Sequence, residues 1–221
     1  MAKGSYQVSA VPVTIFAHLL VIAVSTLVLV WLLYFRGGLA FKSQNKQKIF
    51  NVHPLLMVVG FLLPAGEAIM AYKSIPAKKE VQKLVHLVLH FIALACGIVG
   101  IYAVFKFHNE ARVINMYTLH SWIGMSTICL FGIQWLLGFF SFWWPRAEQG
   151  TRAKYMPWHV FLGAVIFFMA TVTAETGLVE KFLFLGLGKS QEALIVNFTG
   201  LLILLFAVSV GLTVVLPRSS Y

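Results

Sequence analysis

Six long apolar stretches, separated by short polar segments, dominate the chain. They cover residues 11–34, 52–72, 84–105, 119–144, 158–178 and 193–216. Each reaches the length of about 20 residues that a helix needs to cross the hydrocarbon of a bilayer. The stretches are continuous rather than alternating, which excludes an outer-membrane barrel. Lipid offers no partner for free backbone N–H and C=O groups, so the stretches are expected to be helices. The first is too long for a signal peptide, lacks a small-residue cleavage site and runs straight into Arg36-Gly37-Gly38. It is therefore read as a span. The linkers around 42–46, 73–80 and 145–150 leave no room for a soluble domain. The expectation is a single all-α unit over residues 1–221, an integral membrane six-helix bundle.

Composition strengthens this reading. Of the 221 residues 60% are apolar and 11% are charged, against about a quarter charged in soluble domains. Mean hydropathy is +0.86. A water-soluble fold of this size could not hide so much apolar surface, so a soluble enzyme and a disordered chain are both excluded. Lys and Arg number 17 against seven glutamates and no aspartate, a formal charge of +10. The basic residues lie a few at a time between apolar runs. That suits loops at a lipid surface and gives no nucleic-acid-binding arm. The side that holds the termini carries 9 of them, Lys3 and Arg218 included, and the other side 8, so charge does not decide sidedness. Cys96 and Cys129 belong to no CxxC or CxxCH pattern and are read as small apolar core residues.

The chemistry lies in the histidines. Ionisable residues at membrane depth are costly and mark function. Four of the seven recur at one station, near the start of an apolar run: His53, His86, His120 and His159. Consecutive spans run in opposite directions. His53 and His120 therefore lie near one face of the membrane, and His86 and His159 near the other. Each pair comes from alternate helices, which can face each other across a four-helix core. Two imidazoles facing across a gap are the axial ligands of a b-type haem, so the pattern predicts two non-covalent b-type haems, roughly 20 Å apart iron to iron. Zinc or copper would want three or four ligands at one depth, with Cys, Asp or Glu among them. Gly60, Gly124 and Gly163, one or two turns after a ligand, leave bare backbone for a flat macrocycle, although glycine also serves helix packing in membranes. His90 is read as a packing or outer residue, and His18 as partnerless core.

Haem propionates and an anionic electron donor both call for cations. Lys79, Lys83 and His86 follow spacings of four and three and share a face if the third helix starts early. Arg152, seven residues before His159, reaches the same region, with Pro157 between them. On the opposite face Phe107, His108, Asn115 and Tyr117 precede His120 and offer a polar and aromatic pocket.

Phe50-Asn51-Val52-His53-Pro54 with Met57 and Gly60, Met116-Tyr117-Thr118-Leu119-His120-Ser121-Trp122 and Met156-Pro157-Trp158-His159 resemble the helix signatures of eukaryotic cytochromes b561. Tyr34-Phe35-Arg36-Gly37-Gly38 and Ala71-Tyr72-Lys73 also fit, and the whole looks nearest to plant members. Thr118 stands where Ser is commoner and Lys73 where animal members often have Arg.

The resemblance implies a homodimer with both termini in the cytosol. It implies His53/His120 on the non-cytoplasmic haem and His86/His159 on the cytosolic one. It further implies one-electron transfer from cytosolic ascorbate to monodehydroascorbate or ferric chelates across the membrane, an ascorbate-dependent oxidoreductase activity. On this reading Lys79, Lys83 and Arg152 form the ascorbate site, and Phe107, His108, Asn115 and Tyr117 the acceptor site. Two other readings stay open. One is a histidine-lined metal or proton transporter, for which Glu67 and Glu175 are the acidic residues inside spans. The other is a haem-binding membrane subunit that uses quinone.

Overall fold

A computed structural model describes residues 9–217; Lys3 and Arg218 lie outside them. Among the described residues there is no strand. Six helices are long and apolar enough to cross a membrane: α1 Val11–Phe35, α2 Lys46–Ser74, α3 Lys79–Ala111, α4 Leu119–Trp143, α5 Gln149–Phe184 and α6 Gln191–Val215.

The helices overrun the apolar stretches, most of all α3 with 33 residues and α5 with 36. Apolarity marks only the part that lies in hydrocarbon. Lys, Gln, Glu and Arg are good helix formers and carry the same helices onward where water and headgroups can receive their side chains. The starts are fixed by caps. Asn45 Oδ1 accepts from Gln47 N at 3.0 Å, Thr118 Oγ1 from Ser121 N at 3.3 Å and Ser190 Oγ from Ala193 N at 3.0 Å. Each satisfies a donor that the first turn leaves free.

Two prolines lie inside helices. Pro54 in α2 is followed by a wider π-helical stretch, Leu56–Leu62, one way a helix absorbs a missing N–H. Pro157 leaves α5 unbroken, so Arg152 and His159, two turns apart, share a face.

α1 packs on α6, α2 on α3 and α4 on α5; α6 also packs on α5 and α2. The helices α2 to α5 thus form one bundle, with α1 and α6 beside it. The contacts rely on small residues. Ala17, Ala93, Ala103 and Ala207 are fully buried, and Gly66 leaves room for the buried ring of Phe206. In lipid this close approach supplies the packing that holds helices together. Large apolar residues such as Phe16, Ile22, Phe91, Phe161 and Leu201 face outward as a lipid-facing band.

The two ends of the described chain meet, with Ala10 N donating to Pro217 O at 3.0 Å. Nearby, Lys73 Nζ donates to Leu216 O at 2.6 Å and ties the end of α2 to the end of α6. At the opposite end Gly37 and Gly38 adopt φ of 74° and 99° and turn the chain after α1, a conformation glycine takes without strain. Buried Asn51 fixes this turn by donating to Arg36 O at 3.1 Å and Gly38 O at 2.7 Å.

Several expectations change. His53, His86 and His159 lie about two turns or more into their helices, because α2, α3 and α5 start before their apolar runs, and His120 alone stands in the first turn of its helix. Cys129 is exposed on the outer surface rather than buried in the core. Gly60 faces Cys96, where an added Cβ would lie 2.7 Å from its Cβ, so this glycine serves the α2–α3 contact. His18 has a partner: its Nδ1 lies 2.8 Å from Glu67 Oε1, across the α1–α2 interface.

Candidate functional site

His53 on α2 faces His120 on α4 with ring centres 6.1 Å apart and planes at 87°. His86 on α3 faces His159 on α5 at 6.2 Å and 64°. Two metal–nitrogen bonds of about 2 Å, with roughly 1 Å from each nitrogen to its ring centre, span about 6 Å. Both gaps therefore match one metal ion held between opposed imidazoles. Among the described residues no three His, Cys, Asp or Glu side chains converge on a common point, so the donor set suits an axially ligated macrocycle and not a bare zinc or copper ion.

The outer nitrogens are fixed. His53 Nδ1 pairs with Gly100 O at 3.0 Å, His86 Nδ1 with Ala68 O at 2.9 Å and His120 Nδ1 with Thr173 O at 2.9 Å. A carbonyl only accepts, so Nδ1 must carry the proton and Nε2 is left as the ligand atom. His159 differs. Its Nδ1 lies 3.1 Å from Gln134 Nε2, and the same amide nitrogen lies 2.8 Å from His159 O. The contact to a carbonyl oxygen, which only accepts, fixes that atom as the NH2 group, so Gln134 donates to the His159 backbone and sets its amide against Nδ1.

A cavity of about 480 Å³ surrounds the first pair, a size normal for cofactor sites. Pro54, Met57, Phe61, Ile101 and Met125 supply apolar walls. Gly124 and Gly177 also line it. An added Cβ at Gly177 would lie 2.7 Å from His120 Cε1, and one at Gly138 3.0 Å from His159 Cε1. Sequence reasoning missed Gly177 and Gly138, because each sits on the helix beside the ligand's own.

At the end of the bundle where the described chain begins and ends, Lys83 donates to Phe142 O and lies 5.6 Å from the Trp143 ring centre. Arg146 and Arg152 are near enough to act on it electrostatically. Lys79 opens α3 one turn earlier and is exposed. The structure thus brings Lys83 and Arg152 together, keeps Lys79 on the rim and adds Arg146. Tyr155 was not foreseen either. Its ring stacks on Phe142 with centres 5.5 Å apart and lies 5.9 Å from His159, and its hydroxyl is buried without a partner.

At the other end all four foreseen residues line the cavity. Phe107 packs on Phe50 at 5.2 Å and on His108 at 5.6 Å. His108 Nδ1 meets Asn115 Oδ1 at 3.0 Å, and Asn115 donates in turn to Asn109 Oδ1 at 3.1 Å. Tyr117 stands exposed beside them.

Between the two ends runs a series of rings. His86 and His90 are 4.5 Å apart, His90 and Phe131 5.3 Å, and Phe131 and Phe61 4.8 Å. Phe61 in turn lines the cavity that holds His53 and His120. His90 keeps a buried, unpartnered Nδ1 and does not face a ligand across the bundle.

The profile of a family described as eukaryotic cytochrome b561 matches residues 52–185. A rice (Oryza sativa subsp. japonica) protein, named a probable ascorbate-specific transmembrane electron transporter, is 51% identical over 95% of this chain and 92% of its own. A transmembrane ascorbate ferrireductase of Arabidopsis thaliana is 46% identical over 94% and 88%. A lysosomal membrane ascorbate-dependent ferrireductase of Mus musculus is 38% identical over 81% and 78%. The matched span holds all four facing histidines and the two gaps between them, and with it the chain belongs to the eukaryotic cytochrome b561 family of haem proteins.

Proposed function

We propose that the protein carries single electrons across a membrane, from ascorbate on the cytosolic side to monodehydroascorbate or a ferric chelate on the other. The observation that carries this reading is the pair of imidazole gaps, of 6.1 and 6.2 Å, at opposite ends of one bundle. Two non-covalent b-type haems suit them, one between His53 and His120 and one between His86 and His159. When bound, haem iron supplies a centre that accepts and releases one electron without forming a bond to the substrate.

The chain's own residues do the rest. The backbone carbonyls on Nδ1 hold three rings in one tautomer and orientation. Lys83, Arg152 and Lys79 draw the ascorbate anion to the end where the described chain begins and ends, which we place in the cytosol. There ascorbate loses one electron and one proton and leaves as monodehydroascorbate. At the far end Phe107, His108, Asn115 and Tyr117 form the acceptor site. Ferric iron becomes ferrous there, or monodehydroascorbate takes up one electron and one proton. The apolar walls keep water from the path between. The functional unit is a homodimer in a lipid bilayer.

Vesicles that contain the purified protein and enclosed ascorbate test this reading. They should reduce an external ferric chelate, and vesicles without the protein should not. Failure to reduce it, with haem present, would reject transmembrane transfer from ascorbate.

A further inference from the structure

The cavity around His53 and His120 holds a cation that the foregoing account leaves idle. Lys181 lies one turn after Gly177 on α5 and lines the same cavity. Its ammonium sits 3.8 Å from the Phe50 ring centre and 3.4 Å from Gln47 Oε1. Among the described residues no carboxylate lies within 4.0 Å of it. Glu180 lines the cavity too but makes no ion pair with it.

The other charges that act on Lys181 are Arg36 and Glu192, and they are spent on each other. Arg36 Nη2 pairs with Glu192 Oε2, while Trp31 Nε1 donates to Glu192 Oε1 at 2.7 Å. Lys181 therefore keeps a surplus positive charge in a chamber with mostly apolar walls. Lys181 is half-buried, and an ammonium drawn partly out of water is stabilised where an anion meets it; an aromatic face and one long amide contact are weak substitutes.

We infer that Lys181 is the anion-binding group of this chamber and takes an anionic oxygen of its occupant. That oxygen has two sources, a haem propionate or an anionic acceptor such as monodehydroascorbate or a carboxylate chelate of ferric iron. The inference rests on the haem reading proposed above. It assigns Lys181 a role as a positioning and recognition residue at that end.

Purified full-length protein carrying K181Q or K181R tests it, with wild type as the check that haem is bound at all. Haem retention and both midpoint potentials are read by spectroelectrochemistry. KM is read with ferricyanide, an anion, and with hexaammineruthenium(III), a cation. If the oxygen belongs to haem, K181Q lowers one potential and speeds loss of that haem, with both KM values unchanged. If it belongs to the acceptor, K181Q raises KM for ferricyanide at least threefold, leaves hexaammineruthenium unaffected and leaves both potentials in place. In either case K181R restores most of the effect. Unchanged potentials, retention and KM in K181Q overturn the inference. So does an equal rise in KM for both acceptors that K181R shares. A wild-type protein without haem would instead defeat the reading beneath it.

Discussion

Gly177 on α5 lies against the ring of His120 on α4, so closely that a methyl group there would stand 2.7 Å from Cε1. Alanine in a helix interior normally stabilises by about 1 kcal/mol relative to glycine. Here the sign reverses, because Nδ1 of the same ring is bonded to Thr173 O and cannot move freely. Gly177→Ala should lower haem occupancy at the His53/His120 site and leave the other site filled. Gly138→Ala, with 3.0 Å to His159 Cε1, should act in mirror image and more weakly. Difference spectra during redox titration separate the two sites. Full occupancy of both in Gly177→Ala would show that the glycine is not needed there.

Lys83, Arg146 and Arg152 put positive charge at one mouth of the bundle. Removing one such charge weakens attraction of an anion and makes the rate less sensitive to salt. Lys83→Ala should slow reduction by ascorbate about three- to tenfold at low ionic strength, and should not slow reduction by hexaammineruthenium(II), a cation. Arg146→Ala should act in the same direction. Stopped-flow absorbance checks both, and equal effects on the two reductants would remove the donor site from this mouth.

Gln134 is the one side chain that holds the outer nitrogen of a facing histidine, where the other three meet backbone carbonyls. Partners of this kind are worth about tenfold or more in metal affinity. Gln134→Leu should weaken haem retention at the His86/His159 site by about that factor, measured as haem transfer to an excess of apomyoglobin. The His53/His120 site should be unaffected.

Asn51 joins the turn after α1 to the start of α2 through two hydrogen bonds, and it is 1% exposed. Asn51→Leu leaves two part-buried carbonyls without this donor, which costs at most about 1–3 kcal/mol for each group. Thermal unfolding in detergent should begin at a lower temperature, and Asn51→Ser should lose less.

The span count and the four facing histidines are legible in the sequence for the same reason. Both depend on the strong contrast between apolar runs and the rare ionisable group inside them. Their pairing follows from helix direction alone. The groups that hold the rings leave no such trace. Gly100, Ala68 and Thr173 act through carbonyl oxygens that every residue has. Gly177 and Gly138 act on a ring of the neighbouring helix, so their role depends on helix rotation. The His18–Glu67 pair joins residues 49 apart, and nothing in either helix's own pattern announces the other. Arg146 acts on Lys83 from the loop before α5, where it adopts φ of 71°, and no pattern in the sequence says where that loop lies. Helix lengths were read short because hydropathy ends at the headgroups, while α3 and α5 continue beyond them.

Haem counted per chain tests the central claim most directly. The pyridine haemochrome of the purified wild type should give two haems per chain. His86→Ala and His120→Ala should each retain one, with the lost spectral component differing between the two variants. One haem in the wild type, or two in either variant, would contradict the account.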